Sequence, residues 1–344
     1  AGGLALVNGL TFAELSSRYP VSAGVARFVA EGIGGRWVPG TTGWLVIATG
    51  VVSAATLSVA TIGFAQDLVP LDREAGLVAL VFGLGVLAAW GIGESVAFVG
   101  LITLIEVGAL VVVFGFNAQF LASWQPLSGG GLTAATAGGV LGAAFLAFYA
   151  FIGFEDMVSI AEEVRAPERN MPRGILAAVV LTTILYLTVG IVAVAGPGPE
   201  RLAASQTPVA ELVTRLGGAA PLAIVVVSIL TGINGALVRI IMAARVAYGM
   251  AGQADAPRWM GTVAGRTRTP VRATTAATVL VLARATSAII LVVFALVNLS
   301  LWRIKQAEAP EPGTGFRIPR WIPLAGLWGC VLVLVIEGWR LFGG

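Results

Sequence analysis

The chain has 344 residues, of which 57% are hydrophobic and 11% charged, with a mean hydropathy of +0.92 and a net charge of +3. Soluble domains carry about 25% charged residues, so water alone cannot solvate this surface and lipid must cover much of it. The basic residues are scattered and not clustered, unlike those of a nucleic-acid binder, and the lack of any histidine excludes His-based triads and His-ligated metal or haem.

Long apolar runs, unlike the short alternating strands of a barrel, predict an all-α polytopic membrane protein. In chain order the runs are 2–13, 43–65, 75–91, 96–116, 139–161, 174–196, 221–251, 273–283, 285–301 and 322–339. At about 20 residues per crossing they describe one transmembrane domain over 1–344 with about ten spans. Two runs, 2–13 and 273–283, are too short for about 30 Å of hydrocarbon. The first starts at residue 1 without a methionine, so an upstream part of that span is expected. Cys330, the single cysteine, lies in an apolar run and excludes an internal disulfide.

Charge orients these spans, because loops on the cytoplasmic side are enriched in Lys and Arg. With the loop after the first run inside, fourteen basic residues fall on the inner side: Arg18, Arg27, Arg36, Arg165, Arg169, Arg173, Arg258, Arg266, Arg268, Arg272, Arg303, Lys305, Arg317 and Arg320. Five fall outside: Arg73, Arg201, Arg215, Arg284 and Arg340. If 273–283 did not cross, the stretch from Arg303 to Arg320 would emerge on the wrong side, so that run is predicted to cross in shortened form. The expected location is a plasma membrane, that of a bacterial inner membrane given the Arg-rich, Ala- and Gly-rich composition.

The run 139–161 carries the most chemistry. Gly153 is followed by Phe154, Glu155 and Asp156 near mid-span, where carboxylates are expensive unless they face protein or water. A glycine beside them suits a local break, and backbone groups freed at membrane depth must line a cavity. Broken helices of this kind form substrate and ion sites in secondary transporters. The alternative is that Gly153 only permits close helix packing and that Glu155 and Asp156 lie nearer the cytoplasmic end. Glu106, midway along 96–116, is a second candidate: an ionised carboxylate there is costly unless paired or protonated, so it is a candidate to take up and release a proton. Arg239 and Arg245 lie within a span, and their stems are expected to carry the charges toward the interface, with Arg245 serving as a structural anchor. Asn234 and Asn298 are expected to bridge neighbouring helices. Glu162, Glu163 and the arginines through Arg173 read as a charged loop network, and Gly138, Gly139 and Gly142 as a surface for tight helix contact.

The stretch FYAFIGFED…AEEVRAPERNMPRGI resembles the sixth helix and following loop of the amino acid–polyamine–organocation permeases. Three further stretches agree in order: LTFAELSSRYPVSAGVARFVAEGIG with the end of the second helix and first inner loop, IMAARVAYGMAGQADAPRWMGTVAGRTRTPV with the end of the eighth helix, and SAIILVVFALVNLSLWRIK with the tenth. The resemblance implies a LeuT-type bundle of two inverted five-helix repeats. It implies substrate held by main-chain carbonyls of the broken sixth helix, here Ala150, Phe151, Ile152 and Gly153, with Phe154 as the gate candidate. The family's first helix has no counterpart in the sequence, and 273–283 resembles a deletion across the ninth and tenth. No lysine occurs in 96–116, so the coupling lysine of some relatives does not transfer to Glu106.

The leading expectation is a secondary transporter of amino acids, polyamines or related organic cations, proton-coupled or exchanging. Its partners are the small-molecule substrate, lipid and protons, with no nucleic acid and no cofactor. A transport-inactive remnant or sensor is the second class, and an intramembrane enzyme the third. The enzyme class lacks histidine for a Ser–His dyad and has one membrane aspartate, Asp156, where an aspartyl protease needs two.

Overall fold

The computed structural model describes residues 1–35, 37–119, 134–196, 198–204, 212, 220–265, 267, 269–281, 288–307 and 316–342. All regular structure among them is helical. The helices are α1 (Gly2–Arg18), α2 (Gly24–Gly32), α3 (Trp37–Gln66), α4 (Arg73–Trp90), α5 (Ile92–Asn117), α6 (Ala134–Tyr149), α7 (Pro167–Ala195), α8 (Pro199–Ala204), α9 (Ala220–Gly252), α10 (Val271–Leu280), α11 (Ala288–Ala307) and α12 (Trp321–Phe342). Short 3₁₀ segments run over Phe154–Glu163 and Arg258–Gly261. Six described helical segments are long and apolar enough to cross a membrane. The fold is that of an all-α, multi-pass membrane protein.

Lipid exposure is plainest on α5. Its membrane-length stretch has a mean hydropathy of 2.6 yet is only 11% buried. Leu101, Leu104, Val111 and Val112 therefore point outward, which water would penalise and hydrocarbon does not. Helix starts follow local rules: Asp72 caps α4 by accepting the Ala75 N–H at 2.8 Å, and Pro167 opens α7, where its missing N–H is harmless.

The centre of the bundle is the long packing of α3 along α9, with α1 against α7 and α11 against α12. Small residues set the α3–α9 spacing: a Cβ on Gly43 or Gly232 would collide with Met250 or Thr61. At Gly138 and Gly139 no described atom lies within 4 Å of an added Cβ, so the expected contact is not seen among the described residues. α10 has 10 residues, about 15 Å of helix, roughly half a bilayer core. The start of the predicted run 285–301 lies outside the described residues, as do Arg36, Arg215, Arg266, Arg268 and Arg284.

Buried aromatics join α1, the segment after α6, and α11. Phe12, Phe154 and Phe294 meet with ring centroids 5.3–5.8 Å apart, and Phe148 and Phe28 extend the cluster. Edge-to-face geometry of this kind adds to area burial and fixes the chain immediately beyond the end of α6.

Candidate functional site

α6 stops at Tyr149, within the predicted run 139–161. The last turn tightens, with Phe151 N–H donating to Phe148 O at 2.9 Å and Ile152 N–H to Tyr149 O at 3.1 Å. Gly153 then turns the chain at φ +143°, a region that side-chain-bearing residues avoid. The chain resumes as a 3₁₀ segment with a further kink at Ile160. Glu155 braces the corner, its Oε2 accepting the Gly153 N–H at 2.7 Å. A helix that breaks inside an apolar run must find other partners for its main chain.

Those partners are side chains from two other helices. Tyr186 of α7 donates its hydroxyl to Ala150 O at 2.7 Å. Arg239 of α9 donates Nη2 to Ile152 O at 3.1 Å. Gly153 O accepts the Asp156 N–H at 3.1 Å. Of the four carbonyls from Ala150 to Gly153, only Phe151 O receives no hydrogen bond among the described residues. The expected site residues are thus brought together in one turn, with three of their four carbonyls already engaged.

Arg239 is buried, at 8% exposure, and its charge does not reach the interface as its sequence position suggested. Its Nη1 lies 2.9 Å from Asp156 Oδ2 and 3.5 Å from Glu155 Oε1, and both carboxylates are buried. Pairing explains why the guanidinium stays inside: a buried charge left alone costs several kcal/mol, and three groups in contact offset much of that. With both carboxylates ionised the group holds two negative charges against one positive. Arg245, also buried, pairs with the exposed Glu163 at 2.6 Å, which anchors α9 to the end of the 3₁₀ segment.

Phe154 is 7% exposed and lies in the aromatic cluster against Phe12 and Phe294, so the corner is sealed on that side. Phe151 stacks edge-on with Tyr186 at 5.2 Å. Glu106 stands apart from the break. Asn234 Nδ2 of α9 donates to its two carboxylate oxygens at 3.2 and 3.3 Å and to Thr103 Oγ1 at 3.1 Å. Glu106 also lines a cavity of about 690 Å³ between α3, α5, α7 and α9, whose walls include Tyr186, Ser228 and Thr231. Tyr186 therefore touches both the broken segment and the cavity that holds Glu106.

Asn298 bridges as expected, accepting from Thr11 at 2.7 Å and donating to Asn8, so that α11 is tied to α1. A second buried charge group went unread in the sequence. Glu14 of α1 accepts from Lys305 Nζ at 2.6 Å, from Arg18 and from the Ile318 N–H, and Lys305 also donates to Ile318 O at 2.6 Å. The available signal was that Lys305 is the sole lysine in a chain otherwise using arginine.

A multi-pass helical membrane protein with a main-chain break braced by buried charges is the class this geometry defines. The amino acid permease family model matches residues 1–343, and the chain belongs to that family. It is similar to an uncharacterized transporter of Mycobacterium tuberculosis, 30% identical over 349 residues, covering 97% of this chain and 76% of the relative. It is also similar to a branched-chain amino acid permease of Bacillus subtilis, 30% identical over 203 residues, or 52% and 42% of the two chains. A vacuolar cationic amino acid transporter of Arabidopsis thaliana is 28% identical over 309 residues, or 83% and 51%. Family and relatives alike make this chain a membrane transporter.

Proposed function

We propose that the protein carries an amino acid, polyamine or related organic cation across the plasma membrane of a bacterium, by proton coupling or exchange. The observation that carries this reading is the break at residues 150–153, where the carbonyls of Ala150, Phe151 and Ile152 leave the helical ladder inside an apolar span. Carbonyl oxygens in a water-poor site favour an ammonium, which brings donors and a positive charge to main-chain acceptors outside the ladder. With both carboxylates ionised, the Glu155–Asp156–Arg239 group adds an attractive field for the same charge. Phe154 is the residue whose ring has to move for a ligand to pass the aromatic cluster.

Glu106 is the proton-coupling residue of this reading. Among the described residues its one hydrogen-bonding partner is the Asn234 amide, and its cavity gives solvent or a proton a route to it. The test is uptake of radiolabelled amino acids and polyamines into proteoliposomes, both empty and preloaded with the same unlabelled compounds, with and without an imposed pH gradient. Wild-type protein accumulates at least one of them, and Glu106→Gln abolishes the response to the gradient. Unchanged gradient dependence in the variant removes Glu106 from the mechanism, and no uptake of any compound defeats the reading as a whole.

A further inference from the structure

Arg239 holds two kinds of partner at once. Nη1 is anchored by Asp156 at 2.9 Å with Glu155 at 3.5 Å, while Nη2 reaches across to Ile152 O at 3.1 Å. The guanidinium is thus fixed at one end by charge and at the other rests on a single main-chain acceptor. It approaches Gly153 closely enough that an added Cβ would lie 3.7 Å from Nη2. A planar fork with several donors permits this double engagement, and a single ammonium nitrogen does not reproduce it.

We propose that Arg239 is a tethered occupant of the carbonyl site, with Nη2 sitting on Ile152 O where the ammonium of an incoming amine or amino acid docks. The inference rests on the reading that residues 150–153 hold an ammonium. Displacing Nη2 breaks one hydrogen bond and leaves the Asp156 contact in place, so no buried charge is stranded. The surplus carboxylate accommodates a second cation beside the guanidinium. Ligand and Nη2 therefore compete for one acceptor, and Arg239 weakens binding of every ammonium by a similar factor. It also keeps Ile152 O satisfied when the site is empty, which an apolar span requires.

Arg239→Lys separates the two roles, because lysine retains the charge toward Asp156 but cannot also reach Ile152 O. The full chain, purified in detergent, is titrated with radiolabelled L-leucine, L-arginine and putrescine at fixed pH. The variant binds whichever probe binds the wild type about tenfold more tightly, equivalent to about 1.4 kcal/mol. Binding within twofold of wild type, or weaker binding, in a variant of unchanged thermal stability overturns the proposal while leaving the site reading intact. Binding of no probe by either protein removes the site reading and the occupant with it. A second test uses Arg239→Ala prepared in methylguanidinium, a free guanidinium that fits the vacated place. Methylguanidinium must then compete with the probe for binding, and absence of competition overturns the proposal.

Discussion

Removing the cation from the buried charge group gives the sharpest energetic prediction. Arg239→Met leaves Glu155 and Asp156, at 3% and 6% exposure, with no positive partner at contact distance among the described residues. Breaking a buried pair by deleting one member costs about 3–5 kcal/mol, and the lost donor to Ile152 O falls within that range because the two effects share the same side chain. Asp156→Leu strands the guanidinium only partly, since Glu155 remains near, and costs about 2–4 kcal/mol. The double variant removes both members, so its loss falls short of the sum by about 1–3 kcal/mol. Cys330 supplies the assay: it is the single cysteine and fully buried, so a thiol-reactive fluorophore reports unfolding during a thermal ramp in detergent. Losses that add to within about 0.5 kcal/mol refute the claim that Arg239 and Asp156 stabilise one another.

Gly153→Ala tests the corner alone, because the nearest atom to an added Cβ is 3.7 Å away and the φ of +143° is the only obstacle. It should cost about 1–3 kcal/mol of stability in the same thermal assay, and no measurable loss means the turn is not held at that dihedral. Lys305→Met leaves Glu14 buried with Arg18 and one backbone donor, and should lower the unfolding midpoint by an amount similar to Glu14→Gln. A neutral effect of Lys305→Met contradicts the pairing.

Gly153 beside two carboxylates in an apolar run marked the break because local chemistry suffices there: a residue tolerant of positive φ and groups that need partners lie within four positions. The identity of those partners was not legible. Arg239 lies 83 residues from Asp156, and nothing in an isolated helix distinguishes an arginine that snorkels from one that turns inward. A count of charges at matching depth would have raised the question, since two carboxylates in one span call for a cation in another. The occupancy of the carbonyls was hidden for the same reason, because Tyr186 and Arg239 act on main-chain atoms that carry no sequence signal. Glu14 and Lys305 sit near helix ends, where charge normally reads as solvated, yet both are buried and hydrogen-bonded to Ile318 of the segment before α12.

The central claim is that main-chain oxygens of residues 150–153 contact the positively charged nitrogen of the transported molecule. Protein labelled with ¹³C at phenylalanine and isoleucine carbonyls, bound to the ¹⁵N-amine form of the best uptake substrate, allows that contact to be measured by solid-state NMR, with Phe151→Leu and Ile152→Val identifying the two signals. A hydrogen bond to Phe151 O or Ile152 O puts nitrogen and carbonyl carbon within about 4 Å, so dipolar dephasing is predicted at one or both of these adjacent carbonyls. Bound ligand without dephasing at either would contradict the account.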